Sequence, residues 1–224
     1  MKGLEVYRKG NKVVLAGKVK QIVSGKTKNS GKEYVRLVLQ KKAMTWDPEL
    51  EMEVEAEEAE EATIIFVDNE EGFYGPSLAA TNVEKLKIKD GTYVAVKAST
   101  KENDDGTISY FGSRVQYLGC CFDFKFSEDG PAASVIIGTT IVKSQTEVSV
   151  PVRSYDFKKR VQYTAWANMT AAEGVSVEEG TFDQTEDGKN PYVAFVIPKF
   201  DKTQNSDGDD QSWTGSFISC KRVS

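Results

Sequence analysis

Tyr34 stands between Lys32 and Arg36, and Trp46 follows Lys41 and Lys42. Further along, Tyr155, Phe157, Tyr163 and Trp166 surround three consecutive bases, Lys158, Lys159 and Arg160, with Arg153 just upstream. Flat π-faces interleaved with cations can do one kind of chemistry well. Unpaired bases stack on the rings at about 1–3 kcal/mol each regardless of identity, while ammonium and guanidinium groups neutralise phosphates. Lys18 and Lys20, and Lys26 and Lys28 in a Ser/Gly-rich stretch from Ser24 to Lys32, extend the basic side. That stretch contains Gly25-Lys26-Thr27, but a phosphate-cradling P-loop needs a glycine where Lys20 stands. It is better read as a flexible finger that touches phosphates.

Other chemistries find little support. The 224 residues include no histidine, which removes the commonest general base and metal ligand and every Ser-His or Cys-His site. Cys120, Cys121 and Cys220 are an odd number and are not spaced as metal ligands. Asp207-Gly208-Asp209-Asp210 lacks the alternating ligands and later glutamate of a calcium loop. Carboxylate or lysine catalysis stays formally open, but the reading is of a binding protein, not an enzyme, with no cofactor and no metal.

The formal net charge of -5 hides a segregation. Nine basic residues and one acid, Glu33, lie between Lys12 and Lys42, whereas nine acids and no base lie between Asp47 and Glu61. A basic face beside an acidic segment suits a polyanion partner; a solvated surface of mixed charge is the bland alternative. The acidic stretch is expected either to dock a protein or to compete with the polyanion for the basic face.

The elements that must position these groups are short strands. Leu86-Lys87-Ile88-Lys89-Asp90-Gly91-Thr92-Tyr93 returns as Val175-Ser176-Val177-Glu178-Glu179-Gly180-Thr181-Phe182. A β-entry signal that occurs twice points to two copies of one small β-domain. In the first copy, strands are predicted over 13–19, 34–40 and 63–67, a short helix over 77–87 capped by Ser77 or Thr81, and strands over 92–98 and 108–118. Asn103-Asp104-Asp105-Gly106 forms the last hairpin turn. Residues 47–61 read as an extended, acidic excursion of the second hairpin. Three strands, a helix and two strands is the order of an OB-fold barrel. The second copy is compressed, with strands predicted over 134–143, 148–154, 161–167, 181–184, 192–200 and 213–222, and a helix or turn over 170–177. The domains are placed at 1–119 and 131–224. No apolar run approaches a membrane span, and the N-terminus carries no signal core, so the expected location is cytoplasmic.

The first 119 residues resemble the bacterial and phage single-stranded DNA-binding proteins. Val13-Val14-Leu15-Ala16-Gly17 matches their opening strand, Ser30-Gly31 the turn before the second, and Ile64-Ile65-Phe66 the apolar third strand with its aromatic. A helix leading to Gly91, the tip Asn103–Gly106 and the closing Val115-Gln116-Tyr117-Leu118 follow in the family's order. The resemblance implies that the third-strand aromatic stacks on bases: Phe66 here and, through the repeat, Trp166. Ile64 and Phe66 share one face and Ile65 the other, and alternation alone does not say which faces inward. Tyr93 and Phe182 are expected in the cores. The family ends in an acidic, apolar-tipped tail; this chain ends in the strand-like, basic Ser216–Ser224.

The expectation is therefore an all-β chain of two tandem OB-fold-like five-stranded barrels, the second divergent. It binds single-stranded DNA non-specifically as a replication, recombination or repair accessory of phage type in a host cytoplasm. Its partners are single-stranded DNA, replication or recombination proteins and, optionally, a second copy; no membrane is involved. The competing reading is a structural or assembly β-domain protein, such as a virion component, with no nucleic-acid affinity.

Overall fold

Val, Ile and Leu recurring at every second position give strands with one apolar face, and such strands bury that face by curling into a closed sheet. The structure, a computed structural model, describes residues 3–47, 52–69, 77–124, 133–144, 146–156, 161–204 and 210–223. Within these it leaves aside the side chains of 42–47, 52–58, 123–124, 154–156, 161–162, 202, 204 and 210–211. The chain divides into two compact units, Met1–Tyr117 and Leu118–Ser224. Among the described residues no helix is long and apolar enough to cross a membrane.

The first unit runs β1 (Glu5–Lys9), β2 (Lys12–Lys26), β3 (Glu33–Asp47), β4 (Met52–Asn69), β5 (Ser77–Leu78), α1 (Ala79–Lys85), β6 (Tyr93–Glu102) and β7 (Ile108–Tyr117). β2 pairs antiparallel with both β3 and β6, β3 with β4, and β6 with β7, while β4 and β7 run parallel. The circuit β2-β3-β4-β7-β6 closes on itself, with α1 between its third and fourth strands. That is the five-stranded OB barrel. Leu15, Leu37, Leu39, Ile64 and Phe66 fill it, and Ala80 and Val83 of α1 pack against them. The predicted cap, Ser77 or Thr81, is not the one used: the residue before the helix is Leu78, with no capping side chain of its own. Asp68, at the end of β4, accepts from the Ala80 N–H at 2.7 Å, the Thr81 N–H at 3.1 Å and the Thr81 hydroxyl. A carboxylate from a neighbouring strand thus satisfies the helix's first donors.

The second unit comprises β8 (Cys120–Phe124), β9 (Ala133–Thr139), β10 (Ile141–Val142), β11 (Glu147–Asp156), β12 (Val161–Ala171), β13 (Tyr192–Ile197), β14 (Asp201–Gln204), β15 (Asp210–Phe217) and β16 (Ser219–Arg222). Its first barrel strand is broken at Thr140: β9 pairs with β13 and β10 with β11. Its fifth is broken at Ile218: β15 runs parallel to β12, and β16 pairs with β13. Through these two broken strands the OB order recurs, without a helix between the third and fourth strands. Phe195 sits at the centre of the core, edge-on to Phe217 with ring centroids 5.3 Å apart.

Each first strand crosses its partners too closely for a side chain at one position. A Cβ on Gly17 would lie 2.5 Å from Leu4 Cδ2, and one on Gly138 2.4 Å from Val150 Cγ1. The sequence repeat is one turn made twice. Thr92 N–H donates to Lys89 C=O and Thr181 N–H to Glu178 C=O, each at 3.2 Å, around glycines with φ of 83° and 75°. After the turn the copies part. Tyr93 enters β6 opposite Lys18 and is 39% exposed, not in the core as expected. Residues 181–184, predicted as a strand, are a turn; Phe182 folds onto the core and stacks on Phe195 at 6.3 Å. A second turn, closed by Thr185 N–H to Lys189 C=O at 2.9 Å, precedes β13.

Candidate nucleic-acid interface

In OB barrels the outer face of the second and third strands, with the loops joining strands one to two and four to five, is where oligonucleotides lie. In the first unit these strands are β3 and β4, flanked by β7. Val35, Leu37 and Leu39 point inward, so Tyr34, Arg36 and Val38 point outward. On β4, Ile64 and Phe66 point inward and Ile65, Val67 and Asn69 outward. Register then aligns rows across the face: Tyr34 beside Val67, and Arg36 beside Ile65 beside Phe111. Phe111 is 44% exposed.

This parity corrects one candidate. Phe66 is fully buried, and its ring packs under Gly112 of β7. A base cannot reach it; the rings this face presents are Tyr34 on β3 and Phe111, one strand over from Phe66 and more exposed.

The cations fall into distinct groups. Lys28 and Arg36 are exposed. Lys32, at the end of the loop of residues 27–32, donates to Asn69 Oδ1 at 3.0 Å. Thr27 organises that loop, accepting from Lys32 N–H at 3.0 Å on its hydroxyl while its own N–H donates to Lys32 C=O at 2.9 Å. The loop is therefore built more firmly than a flexible finger. Lys26 pairs with Glu33 at 3.0 Å, and Lys20 pairs with Glu61. Lys18, exposed on β2, lies in register with Gln40, which is in register with Glu61. Lys41 lies opposite Glu60, Lys42 opposite Ala59, and Trp46 opposite Glu53. The side chains of Lys42 and Trp46 lie outside the described residues. Sequence segregation of charge thus becomes adjacency: the acidic strand folds back beside the basic one. The hairpin at 103–107 is acidic as well, and the Thr107 hydroxyl and N–H hold the Asp105 carboxyl below its usual range.

In the second unit β11, β12 and β15 form the corresponding face. Ala165, Ala167 and Met169 point inward, leaving Thr164, Trp166, Asn168 and Thr170 outward. Trp166 is 43% exposed, between Pro151 and Ser212. Arg153 is exposed one row away, opposite Thr164. Tyr163, a predicted contact, has the opposite parity and packs against the core. The Tyr155 side chain and all of Lys158, Lys159 and Arg160 lie outside the described residues. Around Trp166 the face is hydroxyl- and amide-rich. Asn168 Oδ1 accepts from Lys143 Nζ at 3.0 Å and from the Ser149 hydroxyl, and its Nδ2 donates to Ser212 Oγ at 3.1 Å.

Phe111, Ile65, Val67 and Asn69 in the first unit, and Lys143 and Asn168 in the second, were missed in the sequence. The alternation of Tyr110 and Phe111 within one strand was the signal available for the first of these. Asn168 and Lys143, separated by 25 positions, carried none.

Compared with known proteins, no family model matches this chain, and no curated protein matches it in sequence. The chain is similar to single-stranded DNA-binding proteins of known structure. A deletion mutant of the Thermus aquaticus protein aligns over 95% of this chain and 93% of its own, at 13% identity and a TM-score of 0.34. A small single-stranded DNA-binding protein from Streptomyces coelicolor covers 50% of this chain and 95% of its own, at 18% identity and a TM-score of 0.35. PriB from Ralstonia solanacearum covers 49% and 98%, at 14% identity and a TM-score of 0.32. The OB assignment rests on strand order and pairing, which the barrels display directly.

Proposed function

We propose that the protein binds single-stranded DNA without strong sequence preference, through the outer strand faces of its two OB barrels. The observation that carries this reading is the same on both: an exposed aromatic sits on the second-to-fifth-strand face among cations. Phe111 has Arg36 in its row and Lys32 at the loop; Trp166 has Arg153 and Lys143 nearby. Phosphates would be neutralised by the cations with release of counterions, and bases would stack on the rings. A duplex, whose bases are already stacked on each other, offers only its phosphates. Service in replication, recombination or repair, a phage-type origin and pairing with a second copy belong to this proposal.

The test is fluorescence anisotropy of a labelled thymine oligomer of about 35 nucleotides across a salt series, with duplex of equal length as control. Lys28, Lys32, Arg36, Lys143 and Arg153 each neutralising one phosphate predict a log–log salt slope of about -3.5, at about -0.7 per phosphate for single strands. Binding that is selective for the single strand and has such a slope supports the proposal. No binding at low salt, with a defined higher oligomer in solution, favours the structural-protein reading instead.

A further inference from the structure

The first barrel's outer face is not flat. Beside Phe111 lies a depression of about 370 Å³ with Ile65 and Val67 as its floor, Gly112 on the β7 side, and Lys32, Asp68 and Asn69 along the remaining edge. We propose that this depression seats one unstacked base of the bound strand, with Phe111 as its stacking platform and the Lys32–Asn69 pair contacting its polar edge or adjoining phosphate. The proposal rests on the single-strand reading above and narrows it to a site.

Three features of the depression match a nucleobase. Its floor is aliphatic and its wall aromatic, suiting a planar ring with two apolar faces. Of its polar lining residues, Asp68 has its carboxylate engaged by the first donors of α1, which leaves an ammonium and an amide 3.0 Å apart at the rim to meet the hydrogen-bonding edge of a planar ring. Its volume lies near the low end of the roughly 300–1,000 Å³ of small-molecule sites, so it takes one base and not a stacked run. Arg36 lies two strands from Phe111 in the same row, a lateral distance of about 10 Å, placing a guanidinium beside the nucleotide for the phosphate chain.

The strand that carries Phe111 is shaped locally. β7 has an extra residue at Ser113: Ala98 pairs with Gly112 and Lys97 with Arg114. The Ser113 hydroxyl donates to Lys97 C=O at 3.1 Å. A bulge at this point increases the local twist and re-aims the neighbouring side chains. Gly112 lacks the side chain that would point inward, so the buried Phe66 ring lies directly beneath the strand and closes the site from below. A base must leave a duplex stack to enter, so the pocket itself selects single strands.

The experiment has two arms on the full chain. In the first, Phe111→Leu keeps apolar bulk and removes the π-face. Its affinity for the thymine oligomer should fall by about 5- to 150-fold, the factor equivalent to about 1–3 kcal/mol of stacking, with the salt slope unchanged because no charge is altered. Lys32→Gln should instead lower the slope by about 0.7. In the second, wild-type protein is photocrosslinked to an oligomer carrying 5-iodouracil and the adduct is mapped by mass spectrometry. The adduct should fall on Phe111, within the tryptic peptide that ends at Arg114. If wild type binds the strand but Phe111→Leu binds within twofold of it, or the adducts map elsewhere, the pocket is refuted and the general reading stands. If wild type shows no single-strand binding, both fall. The crosslink decides should the leucine variant not fold.

Discussion

Gly112→Ala should unsettle the first barrel through one clash. A methyl carbon built on Gly112 would lie 2.3, 2.4 and 2.6 Å from Cε1, Cζ and Cδ1 of Phe66, whereas carbon atoms in contact sit about 3.5–4.0 Å apart. The ring would have to retreat by more than 1 Å, and it is fully buried among Leu37, Ile64 and Val115. Overpacking of this kind costs about 1–3 kcal/mol. At about 4 °C per kcal/mol for a unit of this size, the first unit's Tm should fall by about 4–12 °C. Phe66→Leu alone opens a cavity and should cost a fraction of the roughly 3–5 kcal/mol typical of Phe→Ala. Combined, the alanine methyl enters the space the ring vacates, so the double variant should be at least about 1 kcal/mol more stable than additivity predicts. Calorimetry on the four proteins measures this coupling. Effects that add to within about 0.5 kcal/mol would refute the packing of Phe66 under β7 and, with it, the assignment of Phe111 to the outer face.

Two further outcomes follow from individual groups. Asp68→Ala should destabilise the first unit by about 1–3 kcal/mol in urea unfolding, because two α1 backbone donors lose their acceptor, and Asp68→Asn should recover part of it. Burial, reinforced by Glu178, pushes the Cys220 thiol from 9.0 up to about 11. Its protonated form is therefore favoured by folding: that stabilisation is present in full below about pH 9 and is lost as pH rises through about 11. Thiolate labelling of native protein should accordingly lag that of urea-unfolded protein at pH 9, and equal rates would contradict the burial of β16.

The first barrel's order was legible because its strands alternate cleanly, its turns carry glycine, and its helix falls between the third and fourth strands. Period-two alternation tells which residues share a face but not which face is wet. Ile64-Ile65-Phe66 is apolar on both, and only pairing with β3 and β7 shows that Ile65 joins the outer row while Phe66 fills the core. Trp166 was easier, since it alternates onto the same face as Thr164, a residue that suits the wetter side, and the structure buries Ala165 and Ala167 on the other. In the second unit, Thr181-Phe182 has strand-like residue types, but Gly180 at φ 75° turns the chain back and Phe182 finds Phe195. The breaks at Thr140 and Ile218 depend on which partner each half-strand pairs with, a non-local choice. Where the charges meet is non-local in the same way. The basic and acidic runs are separate along the chain, yet Lys20 pairs with Glu61, 41 positions away.

The most direct test of the account is tryptophan fluorescence of Trp46→Phe protein, with and without Trp166→Phe, during titration with a thymine oligomer. With Trp46 removed and Trp213 buried, Trp166, on the outer face of the second barrel, is the reporter. The account predicts strong quenching of the Trp46→Phe protein by the single strand, reversed by salt, absent with duplex and greatly reduced when Trp166→Phe is added. Quenching that survives intact in the double variant would contradict contact at this face, and no spectral change together with no single-strand binding would contradict the central claim itself.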